Sequence, residues 1–197
     1  MRNTPEYIKS KLCNEIVLNE TEMHMQPICF SERMMNKLLT RGGDNAILEL
    51  SQGEVYYDRE IPKKNHCYYI AEPFLKKYSI DINGMYIPSH IIYQADRSER
   101  QYDGEFDSDL DTFQLKSEAF ASQAMLEKEA RLFIKVRQCR YRTFKSLSLG
   151  EILHDNTYEL KKYSRVLLLT FDVVTKQEAL QRCAEVEWEE FYEKYMW

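Results

Sequence analysis

Hydrophobic positions recur along this chain with two periods, and the switches between them outline its elements. Ile8, Leu12 and Ile16 fall four apart, the spacing of one helix face, and predict a helix over residues 5 to 18. Thr4-Pro5-Glu6 supplies its start: a capping hydroxyl, a proline at the first helical position and an acid near the positive dipole end. A second helix is predicted after Ser31, carrying Met34, Met35, Leu38 and Leu39 and stopping at Gly42-Gly43. The middle then changes to strand patterning. AILELS and EVYYDREI flank Gln52-Gly53, and SIDI and MYIP flank Asn83-Gly84, a dipeptide that accepts the positive φ of a tight hairpin turn. HIIYQA follows as a short apolar stretch.

Residues 96–111 are charged and poor in apolar side chains. They read as an acidic linker or loop between an N-terminal unit, 1–95, and a C-terminal unit, 112–197, unless the whole forms one compact domain. TFQLKSEAFASQAMLEKEA reads as helix, whereas RLFIKVRQCRYRTF mixes β-branched, aromatic and charged residues and reads as strand. Ser148 and Glu151 resemble a capping box for a short helix over 151–163. RVLLLTFDVV is a buried strand. Thr175 and Glu178 form a second capping box, after which Leu180, Ala184, Trp188, Phe191 and Tyr195 recur at steps of four and three. The fold class is α+β, with small antiparallel hairpins in the N-terminal half, amphipathic helices packed on a sheet and a long C-terminal helix.

Composition narrows the classes open to such a fold. A chain of 197 residues, 44% of them apolar, can bury a true core, and with only 6 Gly and 5 Pro it resembles neither a disordered nor a low-complexity chain. Its five cysteines are odd in number and widely spaced. MRNTPEYIKSKL lacks the apolar segment of a signal peptide, and the apolar run 166–171 is far short of the ~20 residues needed to cross a bilayer. These features point to free thiols in an intracellular, cytoplasmic or equivalent reducing compartment, with no membrane partner.

Charge is sorted into blocks. Residues 96–111 hold seven acids and two bases, residues 128–145 seven bases and one acid, and residues 178–193 six acids and one base. The net charge of −5 argues against bulk nucleic-acid binding, so the local blocks carry more information than the total.

Candidate chemistry is sparse. Asp107, Asp109, Asp111 and Glu118 occupy positions 1, 3, 5 and 12 of a calcium-type loop, but Thr112 stands where that loop needs glycine, Gln114 fills an apolar position and no amphipathic helix enters it. The stretch therefore reads as a solvated acidic loop leading into a helix N-terminus. His24, Cys29, His66 and Cys67 lack the paired spacing of a zinc site. Glycines at 42, 43, 53, 84, 104 and 150 write no phosphate loop and no nucleophile elbow. No catalytic residue, cofactor or metal ligand is assigned.

Two surfaces remain. Lys135, Arg137, Arg140, Arg142 and Lys145, with Tyr141 and Phe144 among them, combine charge with stacking rings. On a regular strand Lys135, Arg137, Tyr141 and Lys145 share one face and Arg140 and Arg142 the other, a split that suits an acidic protein surface better than a nucleic acid. Trp188, Phe191, Tyr195 and Trp197 concentrate aromatic area at the end of the chain. They read first as a core stripe and second as anchors for a partner, with Trp197 the nearest to solvent.

Arg41-Gly42, Ser146-Leu147-Ser148 and Glu185-Val186-Glu187, in that order, resemble the ADP-ribosyltransferases of the arginine–serine–glutamate class. The resemblance implies that Arg41 and the serines shape a dinucleotide pocket and that Glu187 is catalytic, although Leu147 replaces the family's threonine. The functional expectations are thus three. The first is a non-catalytic structural or interaction subunit of a larger intracellular or viral-type assembly, binding other protein chains, the same or different. The others are an RNA- or DNA-binding protein using residues 128–145, and an enzyme such as an ADP-ribosyltransferase.

Overall fold

The computed structural model describes residues 3–14, 16, 25–51, 61–80, 84–102, 116–143, 147, 152–154 and 165–195. Among the described residues three helices, α1 (Pro5–Lys11), α2 (Glu32–Arg41) and α3 (Lys176–Tyr195), accompany nine strands in an α+β fold. The strands are β1 (Pro27–Cys29), β2 (Asn45–Ser51), β3 (Cys67–Ala71), β4 (Phe74–Ile80), β5 (Tyr86–Tyr93), β6 (Glu99–Gln101), β7 (Lys116–Phe120), β8 (Phe133–Thr143) and β9 (Arg165–Val174). They are ordered β1-β3-β8-β9-β2 in one sheet and β6-β5-β4-β7 in the other.

The chain divides into two compact units, each built from separated segments. One comprises Met1–Leu12, Lys37–Tyr68 and Leu132–Trp197, the other Cys13–Asn36 and Tyr69–Arg131. Residues 96–102, expected to begin a linker, lie inside the second unit, where Glu99–Gln101 pairs with β5.

In the first unit β9 is the central strand, antiparallel to β8 on one side and to β2 on the other. Its continuous apolar run has a physical cause. Leu167, Leu169, Phe171 and Val173 are buried on one face, while Val166 is buried on the other with Ile47 and Ile152. A strand covered on both faces has no reason to alternate.

The ladder between β2 and β9 ends at Asn45 opposite Thr170, and Asn3 continues it. The Asn3 amide donates to the carbonyls of Phe171 and Gly43, and its side-chain oxygen accepts from the Val173 N–H. This brings the Asn3 backbone against Gly42, whose φ is +73°; a Cβ there would stand 2.2 Å from the Asn3 carbonyl oxygen. The glycine pair that stops α2 is therefore required for a close backbone approach as well.

The second unit holds the hairpin expected around Asn83-Gly84. β4 and β5 pair antiparallel from Phe74 opposite Tyr93 to Ile80 opposite Tyr86, with β6 and β7 on the flanks. One helix expectation fails nearby. TFQLKSEAFASQAMLEKEA yields β7 and two single turns of 3-10 helix, Ser122–Ala124 and Glu127–Glu129. Pairing with β4 and stacking of Phe120 on Phe74 at 5.2 Å override the helical preference of its Glu, Ala and Lys residues.

α1 also stops at Lys11 rather than 18, because Leu12 turns to extended backbone and Cys13 donates its N–H to the Arg131 carbonyl oxygen. Residues 152–154 are not helical, and Leu153 bridges Ala46. The rest of the helix expected over 151–163, the partner strand expected for residues 54–61 except Ile61, which is not in a strand, and Asp107, Asp109 and Asp111 lie outside the described residues.

The Asn3–Gly42 approach is testable. Gly42→Ala meets both the positive φ and a backbone clash and should cost at least about 2 kcal/mol of unfolding free energy in urea titration. Gly84→Ala, also at positive φ but with open space around its Cβ, should cost only about 1 kcal/mol. Equal losses would remove the close approach as the cause.

Candidate interaction surface

α3 begins at the predicted capping box. Thr175 Oγ1 accepts from the Glu178 N–H at 3.1 Å, and the Glu178 carboxylate accepts from the Thr175 N–H at 2.7 Å. Lys11 from α1 adds an ion pair to the same carboxylate at 3.0 Å. The inward face is marked by buried Ala179 and half-buried Cys183 and Val186. At 3.6 residues per turn Trp188 stands about two and a half turns beyond Ala179, on the opposite side. It is 66% exposed, and Tyr192, one turn further, is 55% exposed.

This corrects the reading of Trp188 as part of a core stripe. Leu180 and Ala184 are half-buried like Cys183 and Val186, and the stripe reaches solvent at Trp188. Tyr192 was missed at the sequence level, although its spacing of four from Trp188 is the signal that places it on the same ridge. The side chains of Phe191 and Tyr195, and all of Trp197, lie outside what is described.

Acids flank the ridge. Arg182 binds Glu185 at 3.0 Å and Glu189 at 3.1 Å, and Lys63 binds Glu190 at 3.1 Å. His66 approaches Glu190 at 3.8 Å, but burial and then the Lys63 charge hold its pKa below the ordinary value, which weakens any ion pair there. Glu187 is exposed beside Trp188.

β8 is the strand that its composition suggested, but its faces are not those of a regular strand. Val136 is opposite Phe171 and Gln138 opposite Thr170, so Arg137 is an extra residue in a bulge. The bulge shifts the alternation by one. Lys135, Arg140 and Arg142, opposite Asp172, Leu168 and Val166, share one face, and Tyr141 falls on the other. Arg137 turns to Asp44 at 2.7 Å and Asp172 at 3.3 Å. Arg140 and Arg142 are exposed, and neither forms an ion pair among the described residues. Lys145 lies outside the described residues.

The densest cluster of ionisable groups was hidden inside two sequence blocks read as surface. In the second unit the β5–β6 turn, with Arg97 at a φ of 61°, sets Asp96 and Ser98 toward Arg131. The Arg131 guanidinium is bidentate to Glu72 at 2.7 and 2.8 Å, reaches both Asp96 oxygens at 2.9 and 2.8 Å, and lies over Tyr93 with its carbon 4.1 Å from the ring centroid. Tyr93 Oη donates to the Glu129 carbonyl and accepts from Arg100 at 2.6 Å. Arg100 also donates to the carbonyls of Glu129 and Ala130. Glu129, 1% exposed, takes Lys76 at 2.6 Å and the Tyr102 hydroxyl at 2.8 Å.

Burial pushes Glu72 up against the pull of Arg131, while Glu72 and Asp96 together more than offset burial and raise Arg131. Tyr93 and Tyr102 are also pushed up, first by burial. These are mutually satisfied groups. Glu72 and Glu129, at 0% and 1% exposure, present no surface to a substrate.

The remaining sequence candidates do not converge. Among the described residues no group of three or more His, Cys, Asp or Glu side chains is placed to hold a metal ion. Cys29 is exposed, whereas burial pushes Cys67 and Cys139 up to about 11, so those two thiols stay protonated and inert at neutral pH. Glu118 belongs to β7 and accepts from the Tyr78 hydroxyl. Arg41 ends α2, and Glu185 and Glu187 lie within α3 rather than on a loop entering a strand, where the ADP-ribosyltransferases place theirs. Comparison with protein-family models, curated proteins and solved structures finds no match for this chain.

Two measurements test the buried cluster. Arg131→Met leaves Glu72 uncompensated and should cost about 3–5 kcal/mol, whereas Glu72→Leu with Arg131→Met should recover most of that loss in chemical denaturation. A double variant as unstable as the single one would show that the pair does not act as a unit. The second concerns acid. Burial raises the Asp96 carboxyl, but the hydrogen bonds and charge of Arg131, joined by Ser98, reverse this and leave it below its ordinary 3.8. Because the folded pKa is depressed, this contribution is present above about pH 4 and is lost as pH falls through the folded value. Asp96→Asn should lower the melting temperature at pH 7 and shrink its further fall between pH 4 and 2. An unchanged acid limb would exclude Asp96 from acid unfolding.

Proposed function

We propose that this chain is a non-catalytic interaction subunit of a larger protein assembly, of the intracellular or viral kind. The observation that carries the reading is the outward ridge of α3, where Trp188 and Tyr192 are exposed between acidic side chains. Large aromatic side chains ringed by charge are the composition of interface anchors. The five free cysteines suit a reducing compartment, and among the described residues no helix is long and apolar enough to cross a membrane.

A second reading has its own support. The bulge at Arg137 gathers Lys135, Arg140 and Arg142 on one face, a better platform for phosphates than a split patch. Against it, Arg137 is already bound by Asp44 and Asp172, and Lys135 stands opposite Asp172, so only two of these cations face solvent without a nearby acid. The protein-partner reading accounts for both surfaces, the nucleic-acid reading for one.

A photo-crosslinking amino acid placed at position 188 in the cell that makes the protein decides between them. Crosslinks to protein, of this or another chain, at position 188 but not at a control position such as exposed Ser117, are expected. Failure to capture protein at 188 above the control would overturn the reading. Nucleic acid retained by the purified chain at low salt, stripped at high salt and lost in Arg140→Glu with Arg142→Glu would put the second reading in its place.

A further inference from the structure

We infer that the α3 ridge docks on a second copy of this chain, against the face of β8 that carries Arg140 and Arg142; this rests on the assembly reading and names its partner. Complementarity carries the inference. The ridge presents Trp188 and Tyr192 with exposed Glu187 beside them and, one turn before Trp188, Glu185, which it shares with Arg182. The β8 face presents two arginines, each opposite an apolar residue of β9, Arg140 opposite Leu168 and Arg142 opposite Val166. Leu168 is half-buried against Val166, Ile47 and Ile152, so the arginines border an apolar cluster. An arginine plane beside apolar surface is a good seat for an indole, through stacking as well as charge.

Among the described residues no ion pair joins the acids of α3 to Arg140 or Arg142. The two arginines lie beside the start of β9, whereas α3 begins at its other end. The acidic half of α3 is instead held near residues 63–66. Glu190 binds Lys63, Arg182 donates to the Asn65 carbonyl, and Asn65 and His66 bond to Val136 in the first half of β8. Trp188, Tyr192 and Glu187 face outward on α3, and the two arginines face outward on β8. Used reciprocally about a two-fold axis, this contact closes a pair in which each surface is covered once.

Light scattering on the purified full chain, with sign-reversed variants, tests this. Wild-type protein should show a mass above one chain, with association weakened by salt. Arg140→Glu with Arg142→Glu should weaken self-association about tenfold or more, and so should Glu185→Arg with Glu187→Arg on the other surface. The decisive sample is the mixture. Each variant alone carries like charges across the contact, but the mixed pair restores opposite charges at both, so an equimolar mixture should regain the wild-type mass. Unchanged melting curves for both variants establish that the fold survives. A wild-type monomer up to high micromolar concentration overturns the inference while leaving a different protein as the ridge's partner. Association insensitive to either reversal, or reversed variants that fail to rescue each other, overturns it equally. Loss of every protein crosslink at position 188 would instead remove the assembly reading beneath it.

Discussion

A guanidinium closed off from water holds the second unit together. Arg131 has two carboxylates, a hydroxyl and an aromatic face around it, supplied by the β3–β4 connection, the β5–β6 turn and β5 itself. Taking such a group out of water costs several kcal/mol, and the attraction returns it only if every donor is met. That demand is stricter than apolar packing. Glu72 must leave β3 at one angle, the turn at Arg97 must take a left-handed residue, and Tyr93 must point its ring inward. A buried ion pair adds little net stability over an apolar substitute, so its effect here is to make one arrangement of these turns far better than its neighbours. The second centre, Glu129 with Lys76, Tyr102 and the Leu126 N–H, imposes the same condition on the segment that leads into β8.

The first unit obtains its order differently, from a strand buried on both faces and an amide that finishes its ladder. Where β2 runs out, unpaired groups on β9 near the core would each cost about 1–3 kcal/mol. Asn3 supplies a donor and an acceptor at that spot, and the double glycine allows its backbone close enough to do so. A polar residue near the chain start and a glycine pair forty residues on thus form one device, though each looks ordinary in the sequence.

That contrast explains what the sequence discloses. β9, the capping box of α3, α2 with its glycine stop and the β4–β5 hairpin were legible because the signal for each is local: a run, a cap, a turn. β7 was not, since Glu118, Ala119 and their neighbours prefer helix until β4 offers a pairing edge and Phe74 a stacking partner. The bulge at Arg137 was invisible because nothing in FIKVRQCRYRT marks which residue opposes none, and that one residue decides the face of every arginine after it. The outward turn of Trp188 was half legible. Leu180 and Ala184 are half-buried like Cys183 and Val186, and the spacing alone does not mark Trp188 as the member of their stripe that turns to solvent. Asp96, Arg100 and Arg131 could not be told from solvated charges at all, because burial of an ion is a property of its surroundings.

Sorted charge blocks therefore mean different things in different places. Much of the charge in 96–102 and 128–131 is spent inside the second unit on Arg131, Arg100 and Glu129. In the β8 block Arg137 is spent on Asp44 and Asp172. Subtracting what the fold consumes leaves a shorter inventory facing outward: two arginines on β8, and Glu187 with Trp188 and Tyr192 on α3. Their signs are opposite and their places distinct. Segregation that survives internal pairing is what an association surface requires, since like surfaces repel and unlike ones fix both register and orientation. The function of the chain is best sought in that remainder.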